Sequence, residues 1–290
     1  MQVIIDPDAG FCPGVVKAIA KAEEALQSGH EVSCLGPIVH NEKETERLHK
    51  QGLRIINHQA IREVHGKLII RAHGEPPSTY ESIRAARQEL NDATCPIVLR
   101  LQRKVAQAAL RMKDCGGTVV LFAKEGHPEA VGLMGHTGGL GRIVTDVAAL
   151  GPHELFGPME VFSQTTMDPG AYTSFLNGIQ EQRRLARIAQ EIIAHDTICG
   201  FVARKKERLT AFAASVDLLV FVSGKESSNG RYLFNLVREV NPRSYSISGA
   251  EELRTAWLKG VNSVGVSGAT STPHWLLAEV AGHLEKLASE

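Results

Sequence analysis

The sequence predicts an α/β protein built from several parallel sheets, and three observations lead there. Short, continuous, apolar runs rich in β-branched residues alternate with longer amphipathic stretches, the pattern of strands covered by helices on both faces. Five of those runs end in small polar residues or histidine, more than one binding crevice needs. Three cysteines stand at three helix starts, separated by 83 and 104 residues, a spacing that suggests a three-lobed protein with one thiolate per lobe.

In chain order the predicted strands are Val3–Ile5, Val32–Leu35, Arg54–Ile56, Leu68–Arg71, Thr118–Phe122, Arg142–Val144, Val161–Ser163, Leu218–Val222, Tyr245–Ile247 and Ser263–Val266. Helical periodicity marks Val15–Gln27, Pro96–Arg111, Glu207–Ala214 and Pro273–Ala288 among the stretches between them. The telling ends are Ala72-His73-Gly74 after LIIR, Lys124 to Glu129 after VVLFA, and Ser163-Gln164-Thr165-Thr166 after VF. Ser223 to Asn229 follows LLVFV, and Ser267 to Pro273 follows SVGV. In open α/β sheets ligands sit outside such carboxyl ends, so several sheets are expected to aim at one shared centre.

The chain has 290 residues, enough for two domains at about 150 each and compatible with three. Hydrophobic residues at 43% and charged residues at 22% exclude a disordered chain. Lys+Arg 32 balances Asp+Glu 32, which argues against nucleic-acid or membrane-surface partners. No apolar run approaches the roughly 18 residues of a membrane span. The start MQVIIDPDAG has acids where a secretory leader needs a basic start and a long apolar core, so no leader and a cytoplasmic location are expected. Five cysteines in a reducing compartment do not suggest a disulfide framework.

Cys12 lies in Gly10-Phe11-Cys12-Pro13-Gly14, Cys95 in Asp92-Ala93-Thr94-Cys95-Pro96, and Cys199 in Asp196-Thr197-Ile198-Cys199-Gly200. Proline after two of them suits the first helical position. A thiolate at a helix N-terminus gains about 0.3–1 kcal/mol from the helix dipole. Cys34, inside VSCL, reads as a core residue and Cys115 as a loop residue. The absence of Cys-x-x-Cys weakens a zinc ribbon or a ferredoxin-type run. Three thiolates on a four-iron cluster would leave one iron open to substrate.

Other residues suit an anion and a proton. Ser227-Ser228-Asn229 and Ser271-Thr272-Pro273 precede helical patterns, where hydroxyls and free N–H groups bind phosphate. His40, His73 and His127 follow strands or turns and complete a diphosphate site without lysine or arginine. Glu129 follows His127 across a proline, in what reads as a loop. Like charge from a diphosphate and a reduced cluster would raise its pKa and suit it to donate a proton. His127-Pro128-Glu129 also fits the His-x-Glu of zinc deaminases, but the Pro-Cys-x-x-Cys partner is missing.

The runs GFCPGV, GPIVHN, RAHGEPP, DATCP, GHPE, SQTT, DTIC, SGKESSNG and SGATSTP resemble, in order and over nearly the whole chain, the 4-hydroxy-3-methylbut-2-enyl diphosphate reductases of the methylerythritol phosphate route to isoprenoids. The resemblance implies a trefoil of three α/β lobes around a central [4Fe–4S] cluster: 13–95, 96–195, and 196–290 with the N-terminal strand 1–12. Cys12, Cys95 and Cys199 match the cluster ligands. His40, His73, His127, Ser227, Ser228, Asn229 and Ser271 match the diphosphate grip. Glu129 matches the proton-delivering acid, Thr165 its partner at the substrate hydroxyl, and Asn229 helps fix the acid. The implied reaction is reductive dehydroxylation to isopentenyl or dimethylallyl diphosphate, with the bound diphosphate relaying the last proton and a small ferredoxin or flavodoxin as electron donor. After Cys199, many family members carry an Ala-Thr-rich stretch ending in Arg-Gln, whereas this chain reads Gly200-Phe201-Val202-Ala203-Arg204-Lys205-Lys206. Read without the resemblance, the residues leave two rivals: a zinc-dependent hydrolase with Glu129 as base, and a non-catalytic phosphate-ligand binder.

Overall fold

A computed structural model describes residues 1–190, 192–225 and 227–289. The first elements are β1 (Gln2–Ile5), α1 (Pro13–Gln27), β2 (Val32–Leu35), α2 (Glu42–Lys50), β3 (Leu53–Ile56), β4 (Lys67–Ile70), α3 (Pro77–Ala85) and β5 (Glu89–Asp92). Then come α4 (Pro96–Cys115), β6 (Thr118–Phe122), α5 (Pro128–Gly135), β7 (Gly141–Val144), α6 (Pro152–Phe156), β8 (Met159–Ser163), α7 (Pro169–Leu185) and β9 (Ile193–Ala194). The last are α8 (Gly200–Ala214), β10 (Leu218–Val222), α9 (Ser228–Val240), β11 (Ser244–Ile247), β12 (Ser263–Gly268) and α10 (His274–Ser289).

The strands form three four-stranded sheets, ordered β1-β12-β10-β11, β3-β2-β4-β5 and β7-β6-β8-β9. β1 runs parallel to β12, with Gln2 opposite Ser263 and Ile5 opposite Val266, and β12 runs parallel to β10. β6 pairs in parallel with both β7 and β8. By packing, the chain divides into two compact units, residues 1–55 with 204–290 and residues 56–203.

Each unit shows why its central strands are apolar throughout. In the first, Leu218, Val220 and Val222 of β10 pack with α10, while Leu219 and Phe221 pack with α8 and α9 through Leu209, Ala213, Leu233 and Val237. In the second, Val119 and Leu121 of β6 face α4 and α5, while Val120 and Phe122 face Tyr172, Phe175 and Ile179 of α7. A strand buried on both faces has no polar side to show, so two-residue alternation disappears from its sequence.

Three expectations need correction. β5 and β9 are additional strands: β5 is the polar, exposed run ELND, and β9 has only two residues, so neither carries an apolar signature. Strand β4 ends at Ile70, leaving Arg71 in the turn beyond it. Cys115 is the exposed last residue of α4, not part of a loop; the helix continues until Gly116 caps it at φ +67. Cys34 is fully buried in β2, as expected of a core residue.

Candidate active site

In the unit of residues 56–203, the predicted site residues cluster on strand ends. Beyond β4, Gly74 turns the chain at φ +70, and a Cβ there would lie 2.5 Å from Gln102 Nε2. Cys95 caps α4 from the next strand end, with its N–H on the carbonyl of Ala72 at 3.0 Å. Asp92 fixes the approach to it by accepting from Thr94 N at 2.9 Å and Thr94 Oγ1 at 2.5 Å. His73 meets His127 edge-to-face, ring centroids 5.5 Å apart.

His127 is the N-cap of α5, and Pro128 takes the first helical position, where a missing N–H costs nothing. Its Nδ1 accepts the Glu129 N–H at 3.2 Å, which places the proton of the neutral ring on Nε2. Glu129 therefore lies in the first turn of a helix rather than in a loop, and it is 1% exposed. The turn begins early because histidine satisfies a free helix N–H and proline pre-sets the backbone.

Glu129 Oε1 accepts from the Thr165 N–H at 2.7 Å and Oε2 from Thr165 Oγ1 at 2.8 Å. Burial pushes its pKa up to about 7, against the downward pull of those two hydrogen bonds. Enclosure by the protein alone acts in this direction. Thr165 is held in turn. Gln164 beside it accepts from Lys124 N at 3.1 Å and donates to Thr166 Oγ1 at 2.7 Å. The Thr165 carbonyl accepts the Cys199 N–H at 2.9 Å, so one threonine links the acid to a cysteine turn. Thr197 ties the same turn to Ser163, donating to its carbonyl at 2.7 Å and accepting its N–H at 2.8 Å. Gln164 and Thr197 are not among the predicted site residues; Gln164 does carry a signal, a polar side chain directly beyond the buried strand β8, whereas Thr197 follows the short, exposed β9 and carries none.

In the other unit, Cys12 caps α1 and its N–H bonds to Thr270 O at 3.2 Å. Asn229 Nδ2 donates to Thr270 Oγ1 at 3.0 Å, and Ser271 Oγ to the His40 carbonyl at 3.3 Å. Ser227 caps α9, accepting the Gly230 N–H at 3.0 Å. Gly224 permits close approach of this strand end, since a Cβ would sit 2.8 Å from His40 O. Thus Cys12, Asn229, His40 and Ser271 meet along the loop after β12, while Glu129, Thr165 and Cys199 form one hydrogen-bonded chain. The Ser228 side chain lies outside the described residues.

The LytB protein family matches residues 3–285. The chain belongs to this family. The LytB chain is 42% identical over 284 residues to a Bacteroides fragilis protein named 4-hydroxy-3-methylbut-2-enyl diphosphate reductase, covering 97% of this chain and 96% of that one. A Chlorobium luteolum protein of the same name is 41% identical, with 99% of each chain covered. A solved structure of (E)-4-hydroxy-3-methyl-but-2-enyl diphosphate reductase, the terminal enzyme of the non-mevalonate pathway, superposes with a TM-score of 0.73 at 32% identity, covering 99% of this chain and 100% of that one. The Plasmodium falciparum reductase shares the fold, with a TM-score of 0.81 at 24% identity over 97% of this chain and 87% of its own. Neither a zinc hydrolase nor a non-catalytic binder finds support among these LytB relatives.

The donor set of the LytB chain fits an iron–sulfur cluster. Cys12, Cys95 and Cys199 are each half-buried. Each also directly precedes a helix, with its carbonyl accepting in the first turn at 2.9–3.0 Å. A helix N-terminus is in general a position that favours a thiolate, the form of cysteine that ligates metal.

Proposed function

We propose that this protein reduces 4-hydroxy-3-methylbut-2-enyl diphosphate by two electrons and two protons, releasing water and forming isopentenyl or dimethylallyl diphosphate. It is an oxidoreductase of isoprenoid biosynthesis. The observation that carries the reading is the buried Glu129, held on both oxygens by Thr165, whose carbonyl takes the Cys199 N–H. Cys12, Cys95 and Cys199 would hold a [4Fe–4S] cluster. When bound, the cluster supplies electrons and one iron with an open coordination position.

The chain's own residues bind the substrate and move protons. His40, His73, His127, Ser227, Ser228, Asn229 and Ser271 are assigned to the diphosphate; His127 offers a ring N–H at Nε2. With its pKa raised to about 7, Glu129 can hold a proton at neutral pH, which is what a general acid needs. A hydroxyl both donates and accepts. Protonation at Oε2 therefore reverses the Thr165 bond: Glu129 donates, and the Thr165 hydroxyl turns its proton toward the substrate oxygen, which departs as water. The Thr165 N–H stays on Oε1 throughout and keeps the carboxyl in place.

The lobes are assigned to 13–95, 96–195, and 196–290 with 1–12. A small ferredoxin or flavodoxin is the proposed donor and the cytoplasm the proposed location; among the described residues no helix is long and apolar enough to cross a membrane. Anaerobic turnover of the hydroxylated diphosphate with an artificial reductant, alongside iron and acid-labile sulfide analysis, tests the reading. Brown, active protein is expected. Colourless protein holding zinc, or substrate left unreduced by cluster-loaded protein, would overturn it.

A further inference from the structure

Helix α8, directly after Cys199, contains a buried cation that the proposed chemistry leaves without a task. Lys205 of α8 is 3% exposed. Lysine is almost never so buried without a partner. Its Nζ donates to the Asp8 carbonyl at 2.6 Å, and the carboxylates of Asp6 and Asp8 act on it electrostatically. Burial pushes the ammonium below the ordinary lysine range, and the two acids oppose that.

Asp6 is itself 2% exposed and fully engaged. Its Oδ1 accepts from Asp8 N at 2.9 Å and its Oδ2 from Ser267 Oγ at 2.6 Å. Its N–H bonds to Val266 O at 2.8 Å, and its carbonyl takes the Ala9 N–H at 2.9 Å. The turn so fixed continues through Gly10, at φ +99 where a Cβ would lie 2.9 Å from the His274 ring, and ends at Cys12. Rotating the Asp8 peptide would strip a buried ammonium of its acceptor. Arg208, one turn along α8, adds a contact to Asp8 Oδ1 at 2.7 Å, in an exposed position.

We propose that Lys205 is a positioning residue for Cys12: by clamping the Asp8 carbonyl it fixes the turn that presents the Cys12 sulfur to the cluster. This rests on the proposed role of Cys12 as a ligand. It also gives the start of α8 a task, with a lysine point charge matched to a single carbonyl oxygen.

The test compares anaerobically loaded wild type with Lys205→Met, Lys205→Arg and Arg208→Met. Amide hydrogen exchange over residues 6–12 reads the clamp, and iron loss to a chelator reads the ligand. For Lys205→Met, exchange over 6–12 should rise about tenfold or more with β10 unchanged, the effect of losing one charge-assisted hydrogen bond. Iron loss should quicken in parallel. Lys205→Arg should restore most of both, and Arg208→Met should stay within about twofold of wild type. If Lys205→Met does not fold, Ser267→Ala, which releases Asp6 Oδ2, should raise the same exchange by about threefold. Unchanged exchange over 6–12, an equal rise along the whole chain, or faster exchange with unchanged iron loss would each overturn the proposal. Exchange is readable without a cluster, so wild type that binds no iron would overturn the role of Cys12 while leaving the clamp standing.

Discussion

Replacing Glu129 with glutamine should make the protein more stable and nearly inactive, and the two effects have separate pH signatures. The acid is 1% exposed, and burial lifts its pKa from 4.5 to about 7. A carboxyl with a folded pKa above its unfolded value holds its proton more tightly in the folded state. Stability is therefore undiminished below pH 4.5, declines as pH climbs through about 7, and stays reduced beyond that. At 1.36 kcal/mol per pH unit, the interval amounts to roughly 3 kcal/mol. Glutamine does not ionise and removes the penalty. It also keeps both contacts: its oxygen takes the Thr165 N–H, and its amide donates to a Thr165 hydroxyl turned the other way. Urea titrations at matched cluster content should show Glu129→Gln more stable than wild type by up to roughly 3 kcal/mol at pH 8, with the difference gone near pH 4.5. Turnover should fall about 10²–10⁴-fold with substrate binding retained. An equal stability difference at both pH values would refute the burial argument, and near-normal turnover would refute the role as acid.

Other perturbations probe neighbouring links. Thr165→Val deletes the hydroxyl that both hands the proton on and favours the ionised acid, so turnover should fall and the pKa of Glu129 should climb by about one to two pH units; the alkaline fall of the residual pH–rate profile should move up with it, and undiminished turnover with an unmoved profile would count against the pair. Cys199→Ser should lose most iron and sulfide on anaerobic purification, as measured by metal analysis; full content would mean that another residue is the ligand. Gly268→Ala places a Cβ 2.6 Å from the Val222 carbonyl oxygen. A lowered urea midpoint, corresponding to about 1–3 kcal/mol, is expected from overpacking.

The parts of the fold written in apolar residues were legible in the sequence. β6, β8, β10 and β12 announce themselves because each is buried on both faces. β5 and β9 do not, since an edge strand such as ELND is recruited by its neighbour's backbone, and that leaves no mark on composition. Helix α2, EKETERLHK, was also silent: it buries only Glu44 and Leu48, too little for a periodic signal. At the site, the helix starts of Cys12 and Cys95 were readable from proline and the chain's local chemistry. The pairing of Glu129 with Thr165 was not. It joins residues 36 apart, and without the family resemblance nothing in either segment points to the other. The same limit hid the cause of the raised pKa, because enclosure is a property of the folded neighbourhood.

The placement of β1 beside β12 has a consequence for biosynthesis. The Cys12 turn hangs on Ser267 and Thr270 through Asp6 and its own amide, so its supports are translated some 250 residues later. A nascent chain emerging from the ribosome carries the first sulfur long before the strand that steadies it exists. If Cys12 is the ligand proposed above, loading of that thiol is expected to wait until β12 is made. A stop codon anywhere upstream of Ser263 would leave the opening dozen residues without a docking edge.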